Sequence, residues 1–259
     1  MRTLVHSIVW CPEDQPIRLE GLRKHLWRLW KYTGVFDLYI TTFELGPRVT
    51  ELFDDFFSEP GDRPIIVEHF PRNLGWAWAR NRAIVRTLRE GYELLAMMDG
   101  DIWVEDLSWI ETASAASQKL PVFMCRMLDP SHRAGGTMRF EGIELDLYPE
   151  WIGCINVARR EVLETVGGYN LVDLPQEWGF HDCEWGRRLA KAGYFAPLFG
   201  AYPSLANLGV VEEQDQSYDE FLKPLKERCL KEYTQKFWEM HQEILVGSRP
   251  VWFNPETLQ

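Results

Sequence analysis

The sequence predicts an α/β fold whose mostly parallel central sheet is flanked by helices. Two observations carry that expectation. In the N-terminal part of the chain, short apolar runs alternate with stretches whose apolar residues recur at helical spacing, giving strand, helix, strand, helix, strand. The run Leu94-Leu95-Ala96-Met97-Met98 then stops abruptly at Asp99-Gly100-Asp101, as a strand buried on both faces does where it leaves a parallel sheet. Open α/β sheets bind ligands beyond the carboxyl ends of their strands, so both carboxylates are expected in a crevice there. Mg²⁺ and Mn²⁺ are commonly held by one or two carboxylates together with substrate phosphates. The tripeptide reads either as a metal–diphosphate clamp or as a polar turn, for which Asp-Gly is a frequent dipeptide.

The elements follow in order. Thr3 to Trp10 is expected as the first strand, stopped by Cys11-Pro12-Glu13-Asp14. Leu19, Leu22, Leu26 and Leu29 fall on one face of a helix lying against the sheet. Phe36 to Phe43 is a second strand, Val49 to Phe57 a short helix, and Pro64 to Phe70 a third strand. Gly75 marks a turn, and Ala77 to Glu90 a helix with small residues on its packing face. Arg80 and Asn81 fall in its first two turns, where a helix N-terminus favours anions and an arginine adds a bidentate contact to phosphate or carboxylate. The same arginine on a surface helix would simply be solvated.

Beyond the Asp-Gly-Asp strand, Thr112 to Gln118 reads as helix and Pro121 to Met127 as strand. Asp129 to Pro149 shows no period and is expected to be a mobile loop closing over ligand. Trp151 to Val157 is a strand, and Arg159 to Val166 a helix ended at Gly167-Gly168. His181 and Asp182 stand where a loop enters a helix ending at Gly193; Asp182 either caps that helix or acts as a base. Glu184 and Arg188, spaced i, i+4, are expected to pair on its surface. A strand is expected near Tyr194 to Leu198, then a loop containing Asn207-Leu208-Gly209. Phe221, Leu225, Cys229, Tyr233, Phe237, Met240 and Ile244 form a helical stripe for core packing or a homo-oligomer seam.

Composition narrows the function classes. The formal net charge of −11 repels nucleic acid and anionic membranes, although a local basic patch is compatible with it. Five widely spaced cysteines without a Cys-x-x-Cys pair argue for a reducing compartment and against structural zinc. Leu4 to Cys11 is too short for a signal peptide or a membrane span, so a soluble, cytoplasmic protein is expected. Twelve tryptophans serve either flat, partly polar ligands or the core.

Three segments taken in order resemble the GT-A glycosyltransferases, particularly the large inverting, nucleotide-sugar-dependent family. They are Asn73 to Ala83 (N-x-G-x-A-x-A-R-N-x-A), Asp99-Gly100-Asp101, and Gly168-Tyr169-Asn170 followed by Gly179 to Arg188. The likeness spans residues 1 to 210, with 211 to 259 as a C-terminal helical extension packed on the same domain. The resemblance implies a GT-A, Rossmann-like fold and a UDP- or GDP-sugar donor. It implies that Asp99 faces the ribose or the metal, and that Asp101 binds Mn²⁺ or Mg²⁺ bridging the diphosphate. Gly75, Arg80, Asn81 and Trp10 are placed around the donor. Asp182 matches the catalytic carboxylate that deprotonates a hydroxyl acceptor, with His181 as rival base. Trp178, Gly179 and Trp185 fall on the acceptor side, although the tryptophans suit core packing equally. The family's metal-binding His-x-Gly is replaced by Asn207-Leu208-Gly209, which makes Asn207 the implied third ligand, and His181 stands where the family has glutamate. The second strand ends in Thr41-Thr42-Phe43-Glu44, without the family's usual base-reading run. Two other functions share these features: nucleotidyl transfer, which also uses paired carboxylates, and a catalytically degenerate domain that only binds a nucleotide-sugar.

Overall fold

The computed structural model describes residues 1–11, 19–31, 35–57, 64–106, 108–125, 136–151, 154–172, 174, 180–198, 200–206, 208, 210–212, 223–224, 227–228 and 231. Its N-terminal half follows the predicted order: β1 (Thr3–Trp10), α1 (Leu19–Lys31), β2 (Asp37–Phe43), α2 (Pro47–Phe57), β3 (Ile65–Phe70), α3 (Trp76–Glu90) and β4 (Leu94–Asp99). A short strand β5 (Ile102–Val104) and helix α4 (Trp109–Ser117) come next. The C-terminal half holds β6 (Val122–Cys125), β7 (Gly136–Phe140), β8 (Ile143–Tyr148), β9 (Ile155–Arg159), α5 (Arg160–Val166), α6 (His181–Lys191), a 3-10 turn at Ala196–Leu198, β10 (Tyr202–Leu205) and β11 (Val210–Glu212).

Nine strands form one sheet in the order β3-β2-β1-β4-β9-β6-β10-β8-β7. The first four are parallel, with Leu4 beside Leu95 and Ile8 beside Asp99. They are apolar because helices cover both faces: β1 and β4 are buried almost throughout, from Leu4 and Val5 to Met97 and Met98. The chain leaves β1 toward β2 and returns from β3 to β4 on the other side of β1. That reversal puts a crevice at the carboxyl ends of β1 and β4. From β9 onward the sheet is mixed, since β9 runs antiparallel to both β4 and β6.

Five expectations are corrected here. The segment 136–148 is a hairpin rather than a mobile loop, β7 pairing with β8 across Glu141 and Gly142. Both turn residues have positive φ, 47° and 87°, the geometry of a tight two-residue turn between right-twisted strands. Its signal was present in the alternation of Ile143, Leu145 and Leu147 with Glu144 and Asp146. Residues 126–135 lie outside the described residues. The strand expected from Trp151 begins only at Ile155; Trp151 instead packs its ring against Trp185, Phe195 and Tyr202. A strand at Tyr194 to Leu198 is replaced by the 3-10 turn, where Pro197 lacks the N–H a ladder needs, and the strand comes later as β10.

Glu184 and Arg188 do pair, but the pair is buried rather than on the surface. Asp182 does not cap α6, whose N-cap is Phe180 with φ 62°. The apolar stripe from Phe221 to Ile244 falls outside the described residues.

Candidate functional site

Four elements converge where β4 ends. Asp99 is the last residue of β4, beside Ile8 of β1. Asp101 begins the short crossing into β5, and Gly100 between them lies against β1: a Cβ there would meet the Ile8 carbonyl oxygen at 2.3 Å. Only glycine lets the two aspartates straddle that approach. β5 is held from the side by α1. His25 Nδ1 donates to the Ile102 carbonyl, its Nε2 accepts from the Ser7 hydroxyl at 2.7 Å, and Arg28 donates to the Val104 carbonyl at 2.7 Å. A carbonyl can only accept, so Nδ1 carries a proton, and the Ser7 hydroxyl donates to Nε2 when the His25 ring is neutral. Burial pushes its pKa down to about 4, against the pull of Ile102 and Asp101. The polar residues His6 and Ser7 of the apolar first strand are accounted for in the same way: His6 stacks on Tyr39 and bonds Thr41.

Arg80 is the centre of the site. Only 1% exposed, it reaches from α3 to two carboxylates on separate elements: Nη2 donates to Asp99 Oδ1 at 2.8 Å and Nη1 to Asp182 Oδ1 at 3.0 Å. Its guanidinium lies 4.5 Å from the centroid of the Trp76 ring. Two charge-assisted bonds and a ring face make up for its desolvation and hold it charged. Of the two anions expected for Arg80, phosphate or carboxylate, the structure shows carboxylate: both ends of its fork meet protein carboxylates. Asn81 is fully buried, and its amide donates to Tyr169 O at 2.9 Å and accepts from Tyr169 N at 2.6 Å. It ties α3 to the turn after α5.

Asp182, in the first turn of α6, has one oxygen fixed by three donors. Besides Arg80, Asn156 Nδ2 reaches Oδ1 at 3.1 Å and the Tyr169 hydroxyl at 3.4 Å. Burial raises the Asp182 pKa above the ordinary carboxylate range, and Arg80, Asn156 and Tyr169 oppose the shift. Asp99 is raised to about 7 by burial, with Arg80 pulling down and Asp101 and Asp182 pushing up. The Asp182 and Asp99 side chains are 20% and 42% exposed, so each keeps a face toward the crevice.

The remaining predicted residues distribute as follows. Gly75 (φ 88°) makes the turn into α3, its N–H donating to Asn73 Oδ1 at 2.8 Å. Trp10 stands at the crevice end of β1 and donates to Glu44 at 2.9 Å. It borders a small aromatic cluster of Phe43, Phe70, Trp76 and Trp78 around Ile8 and Ala79. His181 is fully buried, edge-on to Trp76 at 5.2 Å, with no face toward the crevice. Of the two uses expected for Trp185, acceptor stacking and core packing, the structure shows packing. It is fully buried, stacks on Tyr169 at 5.3 Å and donates to Gly167 O, so no ring face is left for a ligand. Trp178, Gly179 and Asn207 lie outside the described residues. Sequence reasoning gave no role to Asn156 or Tyr169. Tyr169 sits inside the Gly-Tyr-Asn segment, and the signal for Asn156 is one amide in an otherwise apolar strand. Among the described residues, no group of three or more His, Cys, Asp or Glu side chains is arranged to hold a metal.

No protein-family model matches the sequence. No curated protein matches it either. Solved structures do. The mannosyltransferase PcManGT from Pyrobaculum calidifontis, in complex with GDP-Man and Mn²⁺, superposes with a TM-score of 0.58 at 15% identity, covering 85% of this chain and 59% of that one. S. aureus TarS 1-349 in complex with UDP-GlcNAc gives 0.51 at 13% identity, covering 73% of this chain and 53% of that one. The same protein with UDP gives 0.52 at 13%, over 92% and 74%. The chain thus spans between 53% and 59% of the length of the first two. The sheet order and these superpositions together establish that the chain has the GT-A fold.

Proposed function

We propose that the protein is a glycosyltransferase that moves a sugar from a nucleotide-diphosphate donor to a hydroxyl acceptor, with a divalent cation and with inversion at the anomeric carbon. The observation that carries this reading is the pair of half-open carboxylates, Asp99 and Asp182, held at one crevice by a single buried arginine. Direct displacement at an anomeric carbon needs a base on the acceptor side and charge neutralisation on the leaving-group side. Asp182 suits the first task. Its Oδ1 is fixed by three donors, which leaves the other oxygen to take the hydroxyl proton. A carboxylate whose pKa is raised by burial is a better proton acceptor than an exposed one.

Asp101 and the exposed side of Asp99 suit the second task. Two adjacent carboxylates fit a Mg²⁺ or Mn²⁺ ion whose remaining ligands are diphosphate oxygens and water, so the want of a third protein carboxylate among the described residues is no misfit. Such an ion would neutralise the charge developing on the leaving nucleotide. Trp10 and the aromatic cluster beside it are assigned to the base, next to the glycine-separated aspartates. The fold neighbours were solved with GDP-Man and Mn²⁺ and with UDP-GlcNAc, which supports a GDP- or UDP-sugar as donor.

The test is a thermal-shift screen of UDP- and GDP-sugars with and without Mn²⁺, because a specific ligand raises apparent stability by mass action. One nucleotide-sugar is expected to raise the melting temperature in a metal-dependent way, and Asp101→Ala is expected to abolish that rise while leaving the unliganded melting temperature unchanged. No response to any nucleotide-sugar would overturn the function. An undiminished response in Asp101→Ala would overturn the metal assignment. Retained anomeric configuration in the product, read by NMR, would overturn inversion.

A further inference from the structure

Helix α1 has two faces of different chemistry. Its inner face, Leu22, His25, Leu26 and Leu29, is buried against the sheet and β5. The outer face exposes Arg23, Lys24, Trp27, Trp30 and Lys31, with Trp27 and Trp30 41% and 38% exposed. Four of the thirteen helix residues are basic and only Glu20 is acidic, in a chain whose net charge is −11. The cations and rings are interleaved: Lys31 Nζ lies 4.6 Å from the Trp27 ring centroid and Lys24 Nζ 5.4 Å from that of Trp103 on β5.

We propose that this ridge docks the protein on an anionic membrane surface, with the axis of α1 lying in the plane of the headgroups. Two observations favour that occupant. Lysine and arginine heads with tryptophan bodies are the pairing that suits a headgroup boundary, where a ring can enter the acyl edge while its cation stays at the phosphates. The ridge is also small: a specific protein–protein interface uses about twenty to thirty residues a side, far more than one helix face offers. Single-stranded nucleic acid would need open ring faces for base stacking, whereas a lysine ammonium already lies over the Trp27 and Trp103 rings. The inference concerns a face used by none of the residues of the carboxylate site and does not depend on the glycosyltransferase reading.

The full chain is tested by flotation with vesicles of neutral phosphatidylcholine and of phosphatidylcholine containing phosphatidylglycerol. Binding is expected only to the anionic vesicles and is expected to weaken with salt. Lys24→Gln with Lys31→Gln, and separately Trp27→Ser with Trp30→Ser, are each expected to lower vesicle affinity by at least about tenfold while circular dichroism stays unchanged. No binding to anionic vesicles, or equal binding by folded variants, overturns the proposal. So does a tighter hold on a nucleic-acid duplex than on vesicles, or a concentration-dependent dimer that the same substitutions dissolve. Each of those results would give the ridge to another occupant.

Discussion

Two buried guanidinium–carboxylate groupings meet around α6, and they differ in how much of the carboxylate is covered. Arg188 and Glu184 are closed. Both carboxylate oxygens accept from the guanidinium, at 2.6 and 2.9 Å, and the remaining N–H groups reach Val166 O and Gly168 O. Glu184 has no exposed surface at all. Arg80 with Asp99 and Asp182 is open: the guanidinium is buried, but the two carboxylates keep 42% and 20% of their side chains exposed. Both groupings fasten the same turn, Arg188 through Gly168 and the Arg80 group through the Tyr169 hydroxyl. A closed pair has no valence left for anything but the fold. An open pair gives up some of that stabilisation and keeps oxygens that a proton or a cation can reach.

The largest expected effect breaks the open pair without disturbing its shape. Asp182→Asn keeps an acceptor for Arg80 but removes the base, and kcat for glycosyl transfer is expected to fall about a hundred- to ten-thousand-fold with nucleotide-sugar affinity retained. Near-normal turnover would show that Asp182 is as structural as Glu184. The closed pair should respond the other way. Glu184→Ala strands a buried cation, and urea unfolding is expected to show a loss of about 3 to 5 kcal/mol, whereas Glu184→Leu combined with Arg188→Met removes both charges and costs much less. If the single and double variants are equally unstable, the pair is not the fastening described.

The third case is burial without a counter-charge. His25 is as enclosed as Glu184 but neutral, with a pKa near 4 in the folded protein against about 6.5 in the unfolded chain. The unfolded state binds the proton first. His25 therefore contributes stability that is fully present above pH 6.5 and is lost as pH falls from there toward 4, by about 3 kcal/mol. His6, also held well below its ordinary value by burial, adds to the loss in the same direction. Melting temperatures measured from pH 7.5 to 4.5 are expected to fall less steeply for His25→Gln than for the parent. Parallel curves would remove His25 from the account.

The parallel half of the fold was legible because its periodicities are strong and local. Strands buried on both faces read as apolar runs, and helices with one buried face read as stripes such as Leu22, Leu26 and Leu29. The mixed half was less legible. The β7–β8 hairpin turns through Glu-Gly rather than the stronger Asn-Gly or Asp-Gly signal, and β9 holds its apolar residues without showing which neighbours it joins. The site was legible in part. Asp99 and Asp101 could be named because they end an apolar strand with one glycine between them, and Asp182 because its segment resembles that of the GT-A family. Which anion Arg80 meets, and which backbone Asn81 holds, could not be read, since a helix N-terminus looks the same whether its arginine faces a phosphate or an internal carboxylate.

The sequence by itself determined the order of elements from β1 to β4, the glycine between two aspartates and the aspartate ahead of Gly193, because these rest on contacts a few residues apart. Tertiary structure alone decided that Asp99 and Asp182, 83 positions apart in the chain, share one arginine, that Asn156 and Tyr169 bond Asp182, and that Trp185 and His181 are fully buried. The physical reason is the antiparallel insertion of β9 beside β4. It carries Asn156 to the strand neighbouring Met97 and, with α5 after it, brings the 167–170 turn back onto α3. No local propensity encodes that register. It follows from which long-range packing leaves the fewest buried polar groups unpaired.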